Sequence, residues 1–117
     1  MTYVDGYVCA VPTARFDEYK QMAEASAEIF KEYGAIRVVE AWGDDVPNGE
    51  VTSFPMAVKK EEHETVVLSW IVWPSKAHRN QMMPKAMEDT RFQGLMKSMP
   101  FDGKRLIYGS FRTILDV

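Results

Sequence analysis

His78 follows Ser75 by three residues and lies beside Lys76 and Arg79, where helical spacing begins. The positive end of a helix favours the neutral imidazole that a general base or a ligand-holding group needs. His78 is therefore the one candidate catalytic residue, with a surface or capping role as its alternative. His63 stands in the run Glu61-Glu62-His63-Glu64, which reads as a solvated loop. Metal ions need convergent ligands and ordered supporting groups, and no second His–carboxylate pair has suitable spacing. No metal is expected. Phosphate-cradling glycine loops, nucleophile elbows and zinc spacings are absent, and no cofactor is expected.

Other residues offer binding chemistry. Asp5, Arg37, Glu40 and Arg112 fall within strand-like runs, where a charge is costly unless it is paired. They read as ion pairs or strand-edge groups, or as polar anchors in a ligand cavity. Trp42, Trp70 and Trp73 read as core or interface anchors, or as an aromatic pocket wall that Tyr108 would extend. Met82, Met83, Met87, Met96 and Met99 cluster late in the chain. Flexible thioethers fill irregular space or line a plastic apolar pocket. Trp42, Trp70, Tyr108, Met83 and Met87 are thus the candidate ligand-binding residues. Cys9 sits in mid-strand with no cationic neighbour in sequence and reads as a small buried hydrophobe.

The elements that must position these residues are well marked. Residues 3–11 are rich in Val and Tyr and stop at Pro12, as a strand does. Thr13 is a plausible N-cap for a helix carrying Phe16, Tyr19, Ala23, Ala27 and Phe30 on one face. Gly34 falls where a left-handed helix end is expected. Residues 36–42 form a second strand, and Gly43–Gly49 has turn chemistry. Ser53–Lys59 predicts one short helical turn. Residues 65–73 (TVVLSWIVW) predict the strongest strand, with apolar residues on both parities. Pro74 ends it and Ser75 caps a second helix, with Ala77, Met82 or Met83, Ala86 and Met87 inward. Pro84 predicts a kink or break near 80–84. A further helical piece spans Thr90–Met99 with Phe92, Leu95 and Met96 inward, and residues 105–115 form the last strand.

Two strand–helix–strand units with right-handed crossovers give an α+β, ferredoxin-like βαββαβ domain over residues 1–117. Its four-stranded antiparallel sheet carries two main helices on one face. The opposite face would hold one parity of the third strand, either Val66, Leu68, Trp70 and Val72 or Val67, Ser69, Ile71 and Trp73, and both are largely apolar. Leaving such side chains wet forgoes about 1.5–3 kcal/mol each. A homodimer packed sheet to sheet, a dimeric α/β barrel, is the expected remedy.

Composition narrows the functional classes. The 117 residues carry 14 basic against 17 acidic side chains, a net charge of −3. No basic stripe exists, so nucleic acid is not an expected partner. The single cysteine excludes an internal disulfide and suits a reducing compartment. No apolar stretch approaches the roughly 20 residues of a membrane span, and the N-terminus lacks a signal-peptide pattern. A cytoplasmic protein without a membrane partner is expected.

Several segments carry a resemblance: Tyr3-Val4-Asp5-Gly6 with Val11-Pro12, Trp42 to Gly49, Ser69-Trp70-Ile71, Pro74-Ser75 and, most specifically, MPFDGKR at Met99–Arg105. With them the chain resembles the YbaA-like family of small uncharacterised bacterial proteins, over nearly its whole length. Met83-Pro84 stands where that family usually has small or polar residues, and Thr90 where it often has proline. The resemblance implies a dimeric α/β barrel and no established activity. Fold-level relatives include cofactor-free monooxygenases, heme-degrading enzymes and dye peroxidases. The expected function is binding of a small apolar ligand, or an accessory role, in a cavity between sheet and Met-rich helices. The alternatives are a cofactor-independent monooxygenase or oxidase on a hydrophobic substrate, with His78 as base, and a purely structural interaction module.

Overall fold

Hydrophobic alternation and turn chemistry resolve into four strands and four helices in a computed structural model that describes residues 1–117. The order is β1 (Tyr3–Pro12), α1 (Phe16–Glu32), β2 (Arg37–Trp42), α2 (Phe54–Ala57), β3 (Glu64–Trp73), α3 (Lys76–Glu88), α4 (Thr90–Met96) and β4 (Ile107–Arg112). The strands pair antiparallel in the order β2-β3-β1-β4. This is the ferredoxin-like α+β arrangement expected of two crossover units. The chain ends meet at one edge: the Thr113 amide donates to the Thr2 carbonyl at 3.2 Å, and the two threonine hydroxyls lie 2.8 Å apart.

Register assigns the two faces. Asp5, Tyr7 and Cys9 of β1 stand opposite Ile71, Ser69 and Val67 of β3, which stand opposite Val38, Glu40 and Trp42 of β2. Because neighbours in register share a face, these residues form the side toward the helices. Ile71 and the fully buried Trp73 pack there with Ile29 and Phe30 of α1, Met83 and Ala86 of α3 and Phe92 of α4. The other side carries Val66, Leu68, Trp70 and Val72 of β3 with Ile107 and Phe111 of β4. Leu68, Ile107 and Phe111 are exposed.

The excursion from Gly43 to His63 folds back on its own chain. Ser53 caps α2 by accepting the Met56 amide at 3.1 Å. Val58 then buries completely against Val8, Ala10 and Val66 on the outer sheet face. Glu64, expected in a solvated loop, is instead buried as the first residue of β3. Both of its oxygens accept from Arg105, at 2.7 and 2.8 Å, and one also accepts the Glu61 amide at 2.8 Å. Arg105 further donates to the Lys59 carbonyl at 2.9 Å and to Asp102 at 3.1 Å. The MPFDGKR turn is therefore a clamp that ties the excursion to the start of β4.

Three local expectations need correction. Pro84 does not break α3, which runs unbroken from Lys76 to Glu88. The carbonyl that loses its donor is that of Asn80, an exposed residue, while Met83 and Ala86 are buried on the inner side of the helix. The interruption comes at Asp89, whose extended backbone starts α4 and whose side chain accepts the Arg91 amide at 2.9 Å. Ala77 is exposed rather than inward, and Met87 is 40% exposed although it lines the space under the helices. The last strand covers only Ile107–Arg112, because residues 103–105 form a tight helical turn held by the Asp102 side chain.

Candidate functional site

Sheet and helices do not fill the space between them. A cavity of about 290 Å³ lies among the sheet residues Tyr7, Cys9, Glu40, Ser69 and Ile71, the α1 residues Tyr19, Met22, Ser26 and Phe30, and Met87, Phe92, Met96 and Phe101 beyond. A second cleft of about 360 Å³ lies toward the β2 edge, walled by Phe16, Tyr19, Ala27, Val38, Trp42 and Val67. Tyr19, Ala23, Val38 and Glu40 line both. Tyr19 and Glu40 thus stand where the outer cleft meets the inner cavity.

Both residues are placed by local rules. Tyr19 is on the buried face of α1, one turn before Ala23, whose small side chain leaves the open volume. Glu40 points to the helix side because it alternates with Val39 along β2, and β2 is a sheet edge. The Tyr19 hydroxyl donates a short hydrogen bond to Glu40 Oε1 at 2.5 Å. Glu40 is exposed on the edge strand, with protein crowding part of its side chain where it lines the cleft. That crowding raises the Glu40 pKa, and the Tyr19 bond opposes the rise. Burial, with the charge of Glu40 beside it, drives the Tyr19 phenol far up, so it stays a donor. Burial also pushes the Tyr7 phenol up and the Cys9 thiol up to about 12. Cys9 is hence a neutral wall residue and no nucleophile. Ser26, which also lines the cavity, has a buried hydroxyl without a partner.

A polar network lies on the same face of the sheet. Asp5 is buried and accepts four hydrogen bonds: from Trp73 Nε1 at 3.0 Å, from Arg79 Nε at 3.1 Å and Nη2 at 2.9 Å, and from Ser110 Oγ at 2.5 Å. It joins β1, β3, β4 and α3 at one carboxylate. Asp5 is thus an ion-pair partner, whereas Glu40, read with the same two alternatives, is the cavity group.

The other candidates scatter. Trp42 walls the outer cleft and Met87 the inner cavity. Met83 is in the packed core and Trp70 on the outer sheet face. Tyr108 is 77% exposed on the edge strand β4. His78 lies outside the cavity. Its Nε2 is 3.1 Å from the Tyr33 carbonyl at the end of α1, and its ring lies 6.0 Å from that of Trp73. The sequence reading missed Tyr19 and Ser26, which carry no motif. Their signal was a hydroxyl on the apolar face of α1, facing a strand that carries a lone carboxylate. Glu61, His63 and Glu64 bring ligand atoms within 4.8 Å of one another, but Arg105 already occupies both Glu64 oxygens. Arg105 also pairs with Asp102 of its own chain.

The ferredoxin-like fold is shared with several solved proteins. A putative antibiotic biosynthesis monooxygenase from Nitrosomonas europaea matches with a TM-score of 0.65 at 11% identity, covering 97% of this chain and 90% of that one. SnoaB, a cofactor-independent oxygenase from Streptomyces nogalater, matches with a TM-score of 0.65 at 13% identity over 99% and 96% of the two chains. An uncharacterised NIPSNAP domain protein from Burkholderia xenovorans matches with a TM-score of 0.61 at 14% identity, over 95% and 93%. These likenesses define the fold class. Within it, the chain belongs to the family described as "Protein of unknown function (DUF1428)", whose pattern covers residues 2–103. It is 55% identical to the uncharacterised protein YbaA of Escherichia coli K12, and equally to that of Shigella flexneri, over 116 residues and 99% of each chain. No helix is long and apolar enough to cross a membrane.

Proposed function

We propose that the protein binds a small, largely apolar molecule in the cavity between sheet and helices. The observation that carries this reading is the Tyr19–Glu40 pair lining two adjacent, mostly apolar spaces. Ligand sites are concave and apolar, with a few convergent polar groups, and this is the place in the molecule with that character. The test is a melting-temperature screen against small aromatic and aliphatic molecules. A ligand at 100 times its Kd adds about 2.7 kcal/mol, a rise of about 10 °C in a domain of this size. Met87→Trp, which fills the inner cavity from its exposed rim, should abolish the rise. A broad library without a hit, or hits that survive Met87→Trp, would overturn the reading.

One observation favours an enzymatic second reading. A carboxylate in crowded surroundings, poised by a phenol that stays protonated, suits removal of a proton from an activated hydrophobic substrate. Solved proteins of this fold include one called a cofactor-independent oxygenase. In that reading Glu40 is the base, and His78 holds the end of α1. Consumption of oxygen with a bound ligand, lost in Glu40→Gln, would support it. Binding without turnover would leave the first reading alone.

We also propose that the outer sheet face meets a second copy of this chain. Leu68, Ile107 and Phe111 are exposed there, and strand register puts Arg37 as the one unpaired charge among them, so a like face meets little repulsion.

A further inference from the structure

We infer that the outer cleft is a site for an organic ammonium ion, held by the Glu40 carboxylate and boxed by the rings of Phe16, Tyr19 and Trp42. The inference rests on the cavity reading above and adds the charge of its ligand. Glu40 has a phenol as its partner and forms no ion pair, although seven Lys or Arg ion pairs join other residues of the chain. Glu40 is exposed and so within reach of a cation from solvent, and apolar walls beside it make that attraction stronger than in bulk water. The only cation lining the cleft is Lys20, which sits at the exposed rim with its Nζ 3.8 Å from Glu24. Those two charges cancel and leave Glu40 uncompensated.

The walls fit the same ligand. Trp42 stands edge-to-face with Phe16 at 4.8 Å between ring centroids, and 6.3 Å from the ring of Tyr19. All three rings line the cleft together with Glu40. Aromatic faces attract ammonium groups, and more strongly when water is excluded. A phosphate or carboxylate ligand would instead meet Glu40 as a like charge, with no buried cation to offset it. The apolar remainder of the ligand has a place along the apolar walls of the cleft, which shares Ala23 and Val38 with the inner cavity.

Three probes with one ring system test this: 2-(1-naphthyl)ethylamine, 2-(1-naphthyl)ethanol and 1-naphthylacetate, titrated calorimetrically into the full chain at pH 7. The amine should bind at least about tenfold more tightly than the alcohol, a difference of about 1.4 kcal/mol, and the acetate more weakly than either. Glu40→Gln keeps an acceptor for Tyr19 and should collapse the amine-to-alcohol ratio to near one. Added salt should weaken the amine alone in the wild-type chain, a readout that does not depend on any variant folding. An alcohol or acetate that binds as well as the amine would overturn the charge assignment while leaving the cavity reading standing. Silence from all three would count against both. An amine preference that persists in a folded Glu40→Gln would place the cation elsewhere and overturn the inference.

Discussion

Asp5 is the residue on which the most elements converge. Its four donors come from β3, β4 and α3, so its loss strands an indole N–H and a guanidinium against the core. Breaking a buried pair in this way costs about 3 kcal/mol. Asp5→Ala should therefore lower the urea midpoint strongly, and Ser110→Ala only slightly, since it removes one of the four bonds. Gly34 makes a second demand at this scale. It ends α1 at φ +102, with its amide donating to the Lys31 carbonyl at 3.0 Å and the Ala35 amide to the Phe30 carbonyl at 3.0 Å. A Cβ there would stand 2.1 Å from His78 Nε2. Gly34→Ala should cost more than the ~1 kcal/mol of a strained φ alone. Adding His78→Ala should recover the steric part and leave the conformational part. That pair of measurements also shows the job His78 performs.

Among the elements, the excursion containing α2 depends on a residue far along the chain. Arg105 holds Glu64 and the Lys59 carbonyl at once. Its guanidinium, with the Glu61 amide, keeps the Glu64 carboxyl down at about 2 against an ordinary 4.5. A depressed carboxylate stabilises the fold fully above its unfolded pKa, and that contribution fades as pH falls through the folded value. The clamp should thus act fully above about pH 5 and weaken toward about pH 2. Arg105→Ala should remove about 2–3 kcal/mol at pH 7 and flatten that acid limb in denaturant titrations. The elements themselves were legible because their signals are local. Proline 12, Pro74 and Gly34 mark boundaries, and Ser75 caps α3 by accepting the His78 amide at 3.1 Å. The fate of Glu64 was not legible, since its partner lies 41 positions away and a run of acidic residues looks solvated. Pro84 misled for a related reason. Its penalty depends on whether the freed carbonyl meets water, which only the packed helix decides.

At the scale of the whole molecule, the sheet separates two kinds of apolar surface. The helix side closes over the cavity, and the outer side is only partly covered, by Val58 and its neighbours. Both were legible as strands with apolar residues on both parities. Of the cavity's polar groups only Glu40 was legible, as a charge within a strand; Tyr19 and Ser26 join it from a distant segment and no spacing announces them. The proposed pairing through the outer face predicts a dimer by sedimentation at micromolar concentration. Leu68→Lys with Phe111→Lys should convert it to a folded monomer, while ligand-induced melting shifts in the cavity persist. A wild-type monomer under the same conditions would discard the pairing.

The Thr2–Thr113 contact joins the beginning of the chain to the end of its sheet. A short glycine-serine bridge between residues 1 and 117 would span that gap without disturbing β1 or β4. New ends opened between Asn48 and Gly49, in the exposed loop before α2, leave every strand pair intact. Such a circularly permuted protein should fold to the same far-UV spectrum and melt within a few degrees of the original. It would also bring both ends next to the excursion that Arg105 clamps, a convenient place to attach a reporter close to the sheet's outer face.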